Sequence, residues 1–106
     1  MIVRVLTAGV VALLIAGVAQ AGDAEAGKEK SRPCAACHGP DGNSAAPDFP
    51  RLAGQYSDYL VKALEDYKNG ARKNPIMAPQ AANLSLRDMQ DLAAYFSQQH
   101  GLVGKR

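Results

Sequence analysis

The residues with the clearest capacity for chemistry are five in a row, Cys34-Ala35-Ala36-Cys37-His38, and they contain both cysteines of the 106-residue chain. Two thiols two residues apart on a helical turn can each reach a vinyl group on the same porphyrin edge and form a thioether. The adjacent imidazole then lies under the ring, where it can bind iron. The C-x-x-C-H spacing therefore predicts covalent attachment of one haem c through Cys34 and Cys37, with His38 as an iron ligand. Three other uses of these residues fit less well. A thioredoxin-like redox pair opens a helix in a βαβ context, and the sequence has no period-2 strand pattern. A disulfide would close too small a loop to stabilise the fold and would leave His38 without a role. A structural zinc site needs about four ligands, and only Cys34, Cys37, His38 and the distant His100 are on offer.

A haem held by one imidazole has a second axial position to fill. The candidates are Met77, Met89 and His100, since Met1 falls in a leader. Met89 lies on the apolar stripe of a helix, where core packing is its natural role. His100 falls at the end of that helix, a favourable place for a solvated histidine. Met77 lies in Asn74-Pro75-Ile76-Met77-Ala78-Pro79, an irregular stretch whose prolines stiffen the chain and hold a side chain in place. Of the three, Met77 is the best placed to ligate iron.

The elements that must position these residues read as all-helical. A first helix begins near Asp23, an N-capping residue, and runs through Ala24, Gly27 and Lys30 to a limit set by Pro33. Gly39 to Gly54 is a loop, marked by Gly39-Pro40-Asp41-Gly42, Pro47 and Pro50. A second helix runs from Ser57 to Asn69-Gly70, with Leu60, Ala63, Leu64 and Tyr67 forming one buried stripe. Ala71 to Asn83 reads as another loop. The last helix opens at Ser85, with Asp88 as a weak capping-box partner. It repeats Met89, Leu92, Ala93 and Phe96 at helical spacing and stops at Gly101.

The start of the chain has a different character. Arg4 is followed by an apolar run from Val5 to Val18 and then Ala19-Gln20-Ala21, the small-residue pattern of a signal-peptidase site. The run is shorter than the roughly 20 residues a membrane-spanning helix needs. We read residues 1–21 as a cleaved signal peptide and residues 22–106 as one exported, soluble domain without a membrane anchor. The formal charge of +2 includes Arg4, and no dense basic cluster is interleaved with aromatics, so a nucleic-acid partner is not expected. The chain has no Trp and only two Phe. So short a domain builds a marginal core by itself, and a haem plate would complete it.

The pattern resembles class I cytochrome c of the bacterial periplasm, and is most similar to cytochrome c-553 and to one half of the dihaem cytochromes c4. The residues that carry the resemblance are Gly27, Cys34 to Gly39, Asp41-Gly42-Asn43, Phe49-Pro50-Arg51-Leu52-Ala53-Gly54-Gln55, Tyr59-Leu60, Gly70-Ala71-Arg72, Met77-Ala78 and Leu92-Ala93-Ala94-Tyr95-Phe96. With one motif instead of two, the chain departs from the dihaem members. Pro33 before the first cysteine is a less usual choice.

The resemblance implies three main helices and loops wrapped around one haem, with His38 and Met77 as axial ligands. It implies that the Pro50 carbonyl accepts a hydrogen bond from His38, that Leu52 packs on the haem, and that the first and last helices cross with Gly27 against the Phe96 face. It further implies a periplasmic, monomeric single-electron carrier rather than an enzyme. Its partners would be redox proteins, with electrons passing between respiratory complexes and terminal reductases or oxidases. An electron-accepting subunit of a periplasmic dehydrogenase is the alternative, and a haem enzyme or gas sensor a more distant one. Ala35, Ala36, Ala78 and Pro79 suggest an apolar docking edge, while Lys28, Lys30, Arg32, Arg72 and Lys73 read mainly as surface charges. Arg72 is also a candidate partner for a haem propionate.

Overall fold

The computed structural model describes residues 22–101; the proposed leader and its cleavage point lie outside them. Among the described residues the fold is all-α, with five helices: α1 (Ala24–Lys30), α2 (Arg32–His38), α3 (Ser57–Asn69), α4 (Met77–Ala82) and α5 (Leu86–Ser97).

Three helix boundaries differ from the sequence expectation, each for a local reason. The first helical stretch is two helices, because the chain breaks at Ser31, whose hydroxyl donates to the Lys28 carbonyl at 2.7 Å. Pro33 does not limit a helix; it falls in the first turn of α2, where its missing N–H costs nothing. The motif residues Cys34 to His38 thus lie on one short helix, which ends at Gly39 with φ 85°. The expected loop from Ala71 to Asn83 contains α4. Asn74 Oδ1 accepts from the N–H groups of Ile76 and Met77 at 2.8 and 3.0 Å. Pro79 then occupies the first turn of α4, whose N–H groups have no intrahelical acceptor in any case. Finally, α5 stops at Ser97, before Gly101. A Cβ on Gly101 would lie 2.6 Å from Ala53 Cβ, so this glycine lets the tail close over the Gly39–Gly54 loop.

The Ser85 capping box is complete: the Asp88 N–H donates to Ser85 Oγ at 3.0 Å, and the Ser85 N–H donates to Asp88 Oδ2 at 2.9 Å. Leu60, Leu92, Ala93 and Phe96 then form the core where α3 meets α5, with Cys34, Leu52 and Leu64 packed against it.

Helices α1 and α5 cross at near backbone contact. A Cβ on Gly27 would sit 1.9 Å from the Asp91 carbonyl oxygen and 2.9 Å from Tyr95 Cβ. The partner face is therefore Asp91 and Tyr95. Phe96 turns instead toward Gly42, where a Cβ would lie 2.8 Å from its ring.

Asp91, only 2 % exposed, pins the crossing. It accepts from Lys30 Nζ at 2.6 Å, from Arg87 Nε at 3.1 Å and from the Asp23 N–H at 2.8 Å. Lys30 also pairs with Asp88 at 2.9 Å. Burial by itself would raise the Asp91 pKa, but the hydrogen bonds from Lys30 and Asp23 prevail and hold it below the usual carboxylate range. Asp88 is lowered to about 2, first by the Ser85 N–H and then by Lys30.

Candidate functional site

Between α2, the Gly39–Gly54 loop, α3 and α4 lies a cavity of ≈ 370 Å³. Cys34, Cys37 and His38 line it from α2, Pro50 and Leu52 from the loop, and Met77 from α4. The six residues singled out from the sequence thus share one cavity. Leu60, Leu64 and Tyr67 of α3 and Leu92 and Phe96 of α5 supply apolar walls. Met89 is not among the lining residues; it is buried in the core at 2 % exposure. His100 is exposed, and its backbone carbonyl accepts from Asn43 Nδ2 at 2.8 Å.

The orientation of His38 follows from the backbone opposite it. His38 is 8 % exposed, and its Nδ1 lies 2.9 Å from the Pro50 carbonyl oxygen. A carbonyl only accepts, so Nδ1 carries a proton, and in the neutral ring Nε2 is then the nitrogen with the lone pair. The loop that presents Pro50 is itself held in place. The Leu52 and Ala53 N–H groups donate to the Gly42 carbonyl at 2.8 and 3.2 Å, and the Gly54 N–H donates to the Phe96 carbonyl at 2.9 Å. Gly42 has φ 86° and a Cβ there would meet Phe96, so the turn requires glycine. The sequence names Phe49 only within the run that carries the resemblance and gives it no role; its ring meets the His38 ring edge-on with centroids 6.5 Å apart. An aromatic residue directly before Pro50 was the available signal.

Cys34 and Cys37 are free thiols. Burial pushes the Cys34 thiol pKa up, with a smaller contribution from Cys37. Among the described residues no group of three or more His, Cys, Asp or Glu side chains converges as a metal cage would require, which weighs against the zinc reading. The donor set fits a haem instead: two thiols and an imidazole on one helix, a thioether on another, and apolar walls between them.

The surface charges divide. Lys30 is engaged by Asp88 and Asp91, and Arg32 pairs with Glu29 at 2.8 Å. Lys28 and Lys73 are exposed.

Residues 24–99 match the cytochrome c family. The chain belongs to that family. Cytochrome c4 of Stutzerimonas stutzeri is 49% identical over 95% of this chain and 53% of its own length. Cytochrome c-554(548) of Halomonas halodenitrificans is 46% identical over 74% of this chain and 99% of its own. A protein of Stutzerimonas stutzeri named thiosulfate dehydrogenase electron acceptor is 46% identical over 82% of this chain and 44% of its own. The crystal structure of reduced recombinant cytochrome c4 from Pseudomonas stutzeri superposes with a TM-score of 0.73 at 51% identity, covering 76% of this chain and 47% of that one. The chain spans about half the length of the cytochromes c4 it matches. Family and fold together place it among the cytochromes c, a haem-binding family. No helix among the described residues is long and apolar enough to cross a membrane.

Proposed function

We propose that this cytochrome c chain is a periplasmic single-electron carrier in which Cys34 and Cys37 would tether one haem c and His38 and Met77 would supply the ligands to its iron. The observation that carries the reading is the convergence of these four side chains on one apolar cavity, with His38 Nδ1 committed to the Pro50 carbonyl. That hydrogen bond fixes the tautomer and leaves Nε2 to the metal. Bound there, the haem supplies a one-electron ferric/ferrous couple, with a potential raised by thioether ligation and burial.

The protein's own contribution is placement and exclusion. Leu52, Leu64, Leu92 and Phe96 keep water from the cavity interior. Asn74 fixes the start of α4 and so the position of Met77. An iron held by both His38 and Met77 would offer no site to oxygen or a substrate, which argues against a haem enzyme or gas sensor. Export is supported by the residues 1–21 pattern and by the extracytoplasmic attachment of c-type haem. The sequence contains a single C-x-x-C-H motif, which supports one haem for this chain.

The test is the methionine–ferric charge-transfer absorption of the purified holoprotein. The proposal expects that band in wild type and its loss in Met77→Ala; its presence in Met77→Ala would refute the assignment. The similarity to a thiosulfate dehydrogenase electron acceptor favours one second reading, an electron-accepting subunit of a periplasmic dehydrogenase. Size exclusion of the native complex separates the two: a freely diffusing shuttle elutes alone, a subunit elutes with its enzyme.

A further inference from the structure

Asn69 is the last residue of α3 and stands directly before Gly70, an Asn-Gly pair to which the haem reading gives no role. Both residues are exposed. Gly70 has φ 87°, and a Cβ there would meet nothing within 4 Å, so water reaches the peptide that joins the pair. The Ala71 N–H donates to Asn69 Oδ1 at 2.9 Å, which folds the side-chain amide back over the intervening Gly70 peptide. The Gly70 N–H makes no cap bond to α3, whereas the N–H groups of Ser31, Gly39, Asn83 and Gln98 each close their own helix on a carbonyl.

An amide carbon held over an uncommitted backbone nitrogen pairs an electrophile with a nucleophile inside one turn. The Ala71 N–H points at the oxygen on which negative charge develops as the nitrogen adds, and so eases the addition. Glycine places no side chain in the way. At the end of a helix the Asn69 carbonyl has no partner further along α3, and its backbone turns without breaking the interior ladder.

The other asparagines lack this combination. Asn43 is tied through Nδ2 to the His100 carbonyl at 2.8 Å and precedes the buried Ser44. Asn74 precedes Pro75, whose nitrogen has no proton to lose. Asn83 precedes Leu84, whose N–H is committed to the Ala81 carbonyl at 3.1 Å. Asp41-Gly42 forms a similar turn, with the Asn43 N–H on Asp41 Oδ1 at 3.0 Å, but Gly42 is buried and its N–H donates to the Gly39 carbonyl at 3.2 Å. Hydrogen bonds from Asn43, its side chain first and its backbone second, hold Asp41 below the usual carboxylate range and keep it ionised, a poor target for a nucleophile.

We propose that Asn69 is a site of spontaneous modification, where the folded protein exchanges a side-chain amide for a carboxylate. The Gly70 nitrogen loses its proton and bonds to Asn69 Cγ; the Cγ–Nδ2 bond breaks, and Nδ2 leaves as ammonia with that proton. Water then opens the cyclic imide. Cleavage between Cγ and the Gly70 nitrogen yields aspartate, and cleavage of the main-chain bond yields isoaspartate. No oxidant or reductant takes part. Either product puts a negative charge at the C-terminal end of α3, where the helix dipole disfavours it. The iso form also adds a methylene to the main chain shortly before Arg72, whose guanidinium stacks 4.8 Å over the Tyr67 ring. The chemistry needs only the polypeptide, so it holds whether or not a haem is bound.

The test ages purified holoprotein in mildly alkaline buffer at a temperature where it stays folded, beside the same protein held unfolded in guanidinium chloride. Peptide maps by mass spectrometry follow each asparagine, and an isoaspartyl methyltransferase with labelled methyl donor counts the iso form. The Asn69 peptide of the folded sample should gain one mass unit and the methyl label, at a rate within a few-fold of the unfolded sample. The Asn43, Asn74 and Asn83 peptides of the folded sample should keep their mass. Gly70→Ala, which crowds the attacking nitrogen, should slow the conversion severalfold, and Asn69→Asp should co-elute with the aspartate form on ion exchange. An Asn69 peptide that keeps its mass in the folded protein while the unfolded sample converts would overturn the proposal. So would conversion of Asn43 or Asn83 ahead of Asn69, or an undiminished rate in Gly70→Ala.

Discussion

Lys30 Nζ lies 2.6 Å from Asp91 Oδ2, joining α1 to α5 across 61 residues of sequence. Asp91 is nearly fully buried and also accepts from Arg87 and from the Asp23 N–H. Removing the carboxylate would leave the Lys30 ammonium with Asp88 alone and the Asp23 N–H without its acceptor. Asp91→Ala should cost roughly 2 kcal/mol, from the lost charge-assisted hydrogen bonds and the unsatisfied Asp23 N–H. Denaturant unfolding of the holoprotein checks it; a loss well under 1 kcal/mol would mean the cluster is ornamental to stability.

The same cluster sets a pH profile. Asp88 titrates at about 2 in the folded chain, and Asp91 is also lowered from its usual value. Depressed carboxylates stabilise the fold above their unfolded pKa, near 4, and that contribution is lost as pH falls toward about 2. Lys30 is raised, by its hydrogen bonds to Asp91 and then Asp88. Its contribution is complete below the unfolded pKa of 10.5 and is lost as pH rises through the higher folded value. Stability should therefore be flat with respect to these groups from about pH 5 to 10 and fall on the acid side between about 4 and 2. Asp91→Asn should flatten the acid limb, measured as unfolding midpoint against pH.

Gly27 permits the α1–α5 approach, and a methyl there would meet the Asp91 carbonyl oxygen at 1.9 Å. Backbone cannot yield as a flexible side chain does. Gly27→Ala should destabilise by at least about 2 kcal/mol, despite alanine's better helix propensity. At Gly70, where a Cβ meets nothing within 4 Å, the penalty of Gly70→Ala comes from its φ of 87° alone and should stay near 1 kcal/mol. Thermal melts of the two variants should separate clearly, with Gly27→Ala the lower.

The two methionines of the folded domain should part company. Met77 lines the cavity, whereas Met89 is core. Met89→Leu conserves volume and should cost under about 1.5 kcal/mol while leaving the visible spectrum unchanged. Met77→Leu also keeps an apolar side chain of similar volume, yet it should abolish the methionine–ferric band and lower the midpoint potential. A spectrum insensitive to Met77 but altered by Met89→Leu would reverse the assignment.

Much of this arrangement is legible in sequence because it rests on local signals. Cys34 to His38, the Ser85–Asp88 cap and the apolar stripe of α5 are each read within a dozen residues. Helix α4 is not, because Pro75 and Pro79 look like breakers. Only the hydrogen bonds from Ile76 and Met77 to Asn74 reveal that Pro79 falls in a first turn, where proline is tolerated. The Asp91 cluster and the Gly27 contact join residues more than 60 positions apart, and periodicity says nothing about which face meets which. This is why Phe96 looked like the partner of Gly27 when Asp91 and Tyr95 hold that place.

The account depends most directly on a covalently held haem, and intact-mass spectrometry of the protein, expressed with its haem-maturation machinery, addresses that without intermediaries. The predicted result is one added haem mass that survives denaturation and disappears when Cys34 and Cys37 are both replaced by Ala. A polypeptide mass with nothing added in the wild-type protein would contradict it.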